Sequence, residues 1–204
     1  MAGAVVAAGV LAQGAMWWLI AVRRVPFWPA TSLTFAILGI AAVLVRAPGP
    51  IDIFSLVLGA GSGVALYGAT RVVVANLLER IPPFASSVSD VYGRSEEVSG
   101  TAVWALTLAI AIPGEELFWR GLVLPELQDI TSVAVGVGLA WFGYVAANAV
   151  LRNLSILAAA IVGGALWTVL GSVRDVGAAV ASHLVWTSLM LVWPPRTARG
   201  KVPS

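Results

Sequence analysis

The chain has 204 residues, 59% of them hydrophobic and 11% charged, with a mean hydropathy of +0.93. Soluble domains carry roughly a quarter charged residues, so a soluble globular fold is excluded and a polytopic membrane protein is expected. The net charge is only +2, with no basic run before Arg196, which excludes nucleic acid as a partner; the absence of cysteine removes disulfides, thiolate metal sites and a thiol nucleophile.

Crossing a hydrocarbon core of about 30 Å takes roughly 20 helical residues. Seven apolar runs approach that length, at about 2–22, 27–45, 53–78, 101–122, 131–151, 154–171 and 176–193. The expected fold is an all-α bundle of about seven transmembrane spans in a single domain, 1–204. It divides into N-terminal spans and a connector (1–98), a core (99–193) and a tail (194–204). The first run has no basic residue ahead of it, and Arg23 and Arg24 follow it, so it reads as a retained span and not as a cleaved signal peptide.

In the third run Gly59, Gly61 and Gly63 suggest a close helix-packing face. Residues 79–100 form the one sizeable polar segment, expected to be a cytoplasmic loop or interfacial connector, with a substrate-facing surface helix as the alternative. Its Pro82-Pro83 pair should break any helix continuing from Leu78, and Ser95-Glu96-Glu97 resembles the start of the next helix. With the amino terminus outside, nine basic residues fall on the cytoplasmic side (Arg23, Arg24, Arg71, Arg80, Arg94, Arg152, Arg196, Arg199 and Lys201) against two outside (Arg46 and Arg174). That asymmetry sets the expected orientation, with the carboxyl terminus cytoplasmic. Tryptophans near span ends, Trp17, Trp18, Trp28 and Trp193, fit interfacial anchoring.

The fourth run is unusual. Ile112-Pro113-Gly114-Glu115-Glu116-Leu117-Phe118-Trp119-Arg120-Gly121 places three charges at membrane depth, where each costs at least about 2.5 to 3.5 kcal/mol. Helical residues turn by about 100° each, so Arg120 shares a face with Glu116 and lies well away from Glu115. Glu116 and Arg120 can pair, which leaves Glu115 without a partner on its own helix and free for proton transfer. The bare string also reads as an ion-paired packing motif. Pro113 removes one helix hydrogen bond, freeing the Ala109 carbonyl and suggesting a local opening that admits water. Two further runs each offer a polar face: Tyr144 with Asn148, and His183, the only histidine, with Thr187.

This order and spacing resembles the CPBP (Abi) family of intramembrane proteases, which includes CAAX prenyl endopeptidases and bacteriocin-processing proteins. Members carry Glu-Glu-x-x-x-Arg, then Phe-x-x-x-His, then His-x-x-x-Asn or Asp on successive helices. Here the first motif is complete in Glu115 to Arg120, followed by Gly121. The second reads Tyr144-Val145-Ala146-Ala147-Asn148, with asparagine for the histidine, and the third keeps His183 but has Thr187 for the amide or acid. The resemblance covers roughly residues 99–193 and extends to the Gly163-Gly164 span.

The resemblance implies catalytic roles for Glu115, Glu116, Asn148 and His183, supported by Arg120, Tyr144 and Thr187. Glu115 would activate water, Glu116 and Arg120 would hold the helix, and His183 with Asn148 would polarise the carbonyl. Asn148 cannot accept and return a proton, so the base is Glu115 alone. No cofactor is expected, because a catalytic zinc wants three firm ligands, and Glu115 with His183 would make only a weak site. The function expected is an intramembrane endopeptidase acting on a membrane-associated or prenylated peptide, or else an inactive relative partnering another membrane protein complex. A proton-relaying transporter is a third possibility that no inverted repeat supports. The implied location is the lipid bilayer of the bacterial inner membrane.

Overall fold

The computed structural model describes residues 1–94 and 99–194, and among these all regular structure is helical. The helices are α1 (Ala2–Ala21), α2 (Phe27–Val45), α3 (Ile53–Arg80), α4 (Pro82–Gly93), α5 (Gly100–Ile130), α6 (Val133–Ala149), α7 (Leu154–Val173) and α8 (Val176–Val192). Each expected apolar run is a helix, and α4 is the connector. Five of them, α1, α2, α3, α5 and α7, are long and apolar enough to cross a membrane. α6 and α8 are also apolar but have 17 residues each, about 25 Å at the α-helical rise. Leu44, Ile53, Val133 and Phe142 stand on the outside with most of their surface exposed. Such an apolar exterior is what a lipid-facing bundle presents.

Local sequence sets the helix ends. Pro26, in extended conformation, precedes α2, and Pro48 and Pro50 come after it. Side chains of Asp52, Ser99, Ser132, Asn153 and Asp175 accept from backbone amides at the starts of α3, α5, α6, α7 and α8. These caps satisfy donors that would otherwise be orphaned. The Ser55 amide also holds the Asp52 carboxyl below the usual carboxylate range. The helix start expected at Ser95-Glu96-Glu97, like the tail from 195, lies outside the described residues; α5 is capped by Ser99 at its amino end.

Pro82-Pro83 does interrupt the chain, but the connector beyond Ile81 is a helix and not a loop, because a proline lacking an amide is well placed in a first turn. α4 is amphipathic. Phe84 and Val88 are buried against Val74, Leu77, Leu78 and Ala158 of α3 and α7. Burial pushes the Tyr92 phenol up, and its hydroxyl donates to the Met190 carbonyl of α8 at 3.1 Å.

α3 packs along α8 and α2 along α5. Gly59 and Gly63 lie against the backbone of Ala178 and Ser182, where a Cβ would collide with a carbonyl oxygen. Gly61, expected on the same face, meets nothing within 4 Å. At two residues from each neighbour it is turned about 200° away from them. Trp17 and Trp28 likewise differ from the expectation of interfacial anchors: they are 4% and 8% exposed and pack on Phe27, whereas Trp18 and Trp193 are half exposed. Successive helical residues diverge by about 100°, so Trp17 and Trp18 cannot both face outward.

α5 is the irregular element. α-Helical pieces at Gly100–Trp104, Ile112–Phe118 and Leu124–Ile130 are separated by π-helical turns at Ala105–Ala111 and Trp119–Val123. Pro113 and Pro125 each stand just beyond a π turn. A proline cannot donate to the preceding turn, and widening that turn accommodates the missing bond. Sequence reasoning expected an opening at Pro113; the second interruption, and the extension to Ile130 instead of about 122, went unforeseen.

Candidate active site

Gly114 brings the charged turn of α5 against α2. Its Cα touches the backbone opposite Gly39, and a Cβ on Gly114 would run into the Phe35 carbonyl. Glu115 and Glu116 are therefore pressed into the bundle, at 8% and 0% exposure.

Glu116 sits between two donors. Its Oε1 lies 3.3 Å from Arg120 Nη1 and 2.8 Å from His183 Nδ1. Arg120 is in turn fixed by α7, its Nη2 donating to the Gly164 carbonyl at 3.1 Å and Thr168 Oγ1 at 3.3 Å. The guanidinium lies over the Tyr144 ring, 4.3 Å from the centroid, and the absence of a Cβ on Gly164 makes room for that ring. The expected Glu116–Arg120 pair is present, but it is half of a larger unit that joins α5, α7 and α8. Isolated charges in this interior would be very costly, and the three groups compensate each other.

The imidazole of His183 is stacked on Trp167, with centroids 3.6 Å apart and planes 14° off parallel. With Glu116 at Nδ1, the ring has Nε2 left for anything in the cavity beside it. This arrangement holds the ring plane, as second-shell carboxylates do for working histidines.

Glu115 has no partner on α5; across the bundle the Tyr144 hydroxyl is turned toward it. Asn148, one turn after Tyr144, donates from Nδ2 to the Tyr144 carbonyl at 2.9 Å. Its side-chain oxygen and second amide hydrogen remain. Thr187 lies one turn after His183, and its Oγ1 is buried with no partner among the described residues.

Glu115, Tyr144, Asn148, His183 and Thr187 line one cavity of about 330 Å³. Its other walls are mostly apolar, from Trp17, Phe27, Trp28 and Phe35 at one side to Phe84, Val88 and Tyr92 of α4 at the far end. Thus polar groups from three helices, α5, α6 and α8, face one enclosed space. Glu116 and Arg120 stay behind that wall.

Residues 97–189 match the family model described as type II CAAX prenyl endopeptidase Rce1-like. This part of the chain is Rce1-like. The match agrees with the CPBP resemblance to which the motif pointed, and it covers a little under half of the chain. Comparison with curated proteins and with solved structures returned no match. The Rce1-like stretch holds the whole Glu116–Arg120–His183 unit, whereas α1 to α4, which supply much of the cavity wall, precede it.

Two residues of the Rce1-like core were missed from sequence, Trp167 and Thr168, and Gly164 was named only as part of the Gly163-Gly164 span, without its role. A signal was there, since Gly164 and Thr168 are four apart on α7 and offer a carbonyl and a hydroxyl to one guanidinium. Trp167 carried none, being one of nine tryptophans in an apolar chain. Gln13 of α1 was missed as well. It is fully buried and accepts from the Trp119 indole at 2.8 Å, which joins the first helix to the motif.

Proposed function

We propose that the chain is an intramembrane endopeptidase of the CPBP type that opens a peptide bond of a membrane-associated or prenylated peptide. The observation that carries this is the convergence of Glu115, Asn148 and His183 on one apolar-walled cavity. In this reading Glu115, as carboxylate, takes a proton from water while the oxygen bonds to the peptide carbonyl carbon. Two carboxylates and one guanidinium leave the site one positive charge short. An imidazolium at His183 supplies it, donating from Nδ1 to Glu116 and from Nε2 to the developing oxyanion. Asn148, by its free amide hydrogen, adds a second donor. Collapse breaks the carbon–nitrogen bond, and the amine leaves with the proton carried by Glu115.

The donor set does not suit a catalytic zinc. Among the described residues no group of three His, Cys, Asp or Glu gathers, and Glu116 is already engaged by Arg120 and His183. We therefore expect no firmly held metal; stoichiometric zinc that His183→Ala removes would overturn this. The same reading keeps all seven apolar helices as spans of a bacterial inner membrane, with the amino terminus outside and α4 on the cytoplasmic face.

A second reading, an inactive relative that binds membrane segments for a partner complex, is favoured by Asn148, which cannot carry a proton and turns one amide hydrogen back onto its own helix. The test uses purified protein in nanodiscs with prenylated and unmodified membrane peptides. Cleavage lost in Glu115→Gln supports the protease; equal background from wild type and Glu115→Gln removes it. Cleavage that appears only in Asn148→His identifies a lapsed enzyme.

A further inference from the structure

A second pocket, outside the Glu115 cavity, lies where α1 turns into α2. It is an open depression of about 250 Å³ lined by Arg23, Arg24, Val25, Pro26 and Arg94. Arg23 and Arg24 are exposed, Arg94 is buried with partners of its own, and all three arginines border the pocket. Among the described residues the carboxylate that meets them is Asp90, and both its oxygens are in use. Oδ1 pairs with Arg23 at 2.9 Å, and Oδ2 with Arg94, at 3.1 Å from both Nε and Nη2. Arg24 is exposed and stands 6.0 Å over the Trp18 ring.

The backbone has been bent to make this arrangement. Arg23 adopts φ 53°, a left-handed conformation that costs an ordinary residue about 1 kcal/mol or more and that turns routinely give to glycine or asparagine. An arginine kept there brings its side chain across to α4. The level in the membrane is set by Trp18, half exposed at the end of α1, and by the apolar lipid-facing surface of α1 and α2. The pocket thus opens at the height of lipid headgroups, where arginine forks match phosphate oxygens.

We infer that the Arg23–Arg24–Arg94 pocket is a binding site for the phosphate of an anionic lipid headgroup. Arg24 and the unused donors of Arg23 hold the phosphate, and the acyl chains run along the outer face of α1. The Arg23–Asp90 pair is the displaceable contact. Its arginine side chain is 71% exposed, and pairs of that kind contribute little stability. The site also adjoins the Glu115 cavity through a shared wall. The Trp28 indole donates to the Arg94 carbonyl at 2.9 Å, Arg94 lies over the Phe27 ring, and Phe27 and Trp28 both line the larger cavity. Headgroup occupancy therefore fastens the α1–α2 turn to the α4 end of that cavity. The inference does not depend on peptidase activity.

The experiment is thermal unfolding of the full chain in detergent micelles, monitored by tryptophan fluorescence, with added phosphatidylglycerol, phosphatidylcholine or inorganic phosphate at matched ionic strength. Phosphatidylglycerol should raise the midpoint by about 4 °C or more, since a ligand bound to the folded state stabilises by mass action. Phosphatidylcholine should not. Arg24→Gln, which removes an exposed side chain whose partner among the described residues is the Trp18 ring, should abolish at least half of the shift. Asp90→Asn, which removes the competing carboxylate, should lower the lipid concentration giving half the shift. Equal shifts in wild type and Arg24→Gln, or equal shifts with the two lipids, would overturn the site. A full shift with inorganic phosphate alone would overturn the lipid as its source.

Discussion

Adjacent glutamates in one buried turn should respond oppositely to the same substitution. Replacing Glu116 by glutamine removes the acceptor that Arg120 Nη1 and His183 Nδ1 share at 3.3 Å and 2.8 Å, and leaves a guanidinium that is 1% exposed without its counter-charge. Breaking a buried pair from one side costs about 3 to 5 kcal/mol. For a chain of this size, each kcal/mol shifts the midpoint by roughly 2 to 4 °C, so Glu116→Gln should unfold about 6 to 20 °C below wild type. Glu115→Gln removes no ion pair and keeps an oxygen toward Tyr144, so its midpoint should stay within about 3 °C of wild type. The double variant Glu116→Gln/Arg120→Gln, with both charges gone, should recover part of the loss, because the uncompensated guanidinium is the main penalty. The assay is tryptophan fluorescence or light scattering during heating in one detergent, with all four proteins purified side by side. A Glu116→Gln midpoint no lower than that of Glu115→Gln, or a double variant no more stable than Glu116→Gln, would refute the division into a structural and a free carboxylate.

Other parts of the site can be checked in the same way. Gly114→Ala drives a Cβ into the Phe35 carbonyl, a backbone atom that cannot step aside; a loss of about 2 to 3 kcal/mol and reduced folded yield are expected in detergent extracts. Trp167→Ala takes away the face on which His183 lies and should cost about 3 to 5 kcal/mol, while Trp167→Phe, which retains a stacking ring, should cost about half as much by chemical unfolding. Asn153→Ala removes the cap accepting from Ser155 and Ile156 amides and the amide donation to the Ser87 carbonyl; about 1 to 2 kcal/mol should be lost, with faster proteolysis in α4 as the readout.

The features legible in the sequence were mostly local. Apolar runs located each helix but α4 because membrane burial demands length, and Glu116 with Arg120 could be paired because four residues make one turn. The caps Asp52, Ser99, Ser132, Asn153 and Asp175 follow the same short-range logic, although the sequence reading named none of them as caps. The partners of His183 were not legible. Its bond to Glu116 joins residues 67 apart in sequence, and its stacking on Trp167 depends on how α7 lies against α8. Periodicity carries no information on either. The π turns in α5 were half legible, since Pro113 signals that an amide is missing but not that the preceding turn widens to accommodate it. Gly61 and Trp17 failed for a common reason: residue type alone was used where helical phase decides which side faces in.

The asparagine at 148 bears on the chemistry through the proton inventory of the cavity. His183 has Nδ1 committed to Glu116, so one ring nitrogen remains, and Asn148 brings none that titrates at neutral pH. On the proposed mechanism Glu115 must then both take the water proton and deliver it to the leaving amine, with the Tyr144 hydroxyl as its hydrogen-bonding neighbour across the bundle among the described residues. A histidine at 148 would be one turn from Tyr144 and on the same wall as Glu115, in a position to share that load. The substitution therefore acts on proton transfer, while the cavity's apolar walls and the Glu116–Arg120–His183 unit stay as they are. Binding of a membrane peptide and its hydrolysis are separable in such a site. Asn148→His should change turnover by an order of magnitude or more and the apparent affinity for peptide by less than about threefold.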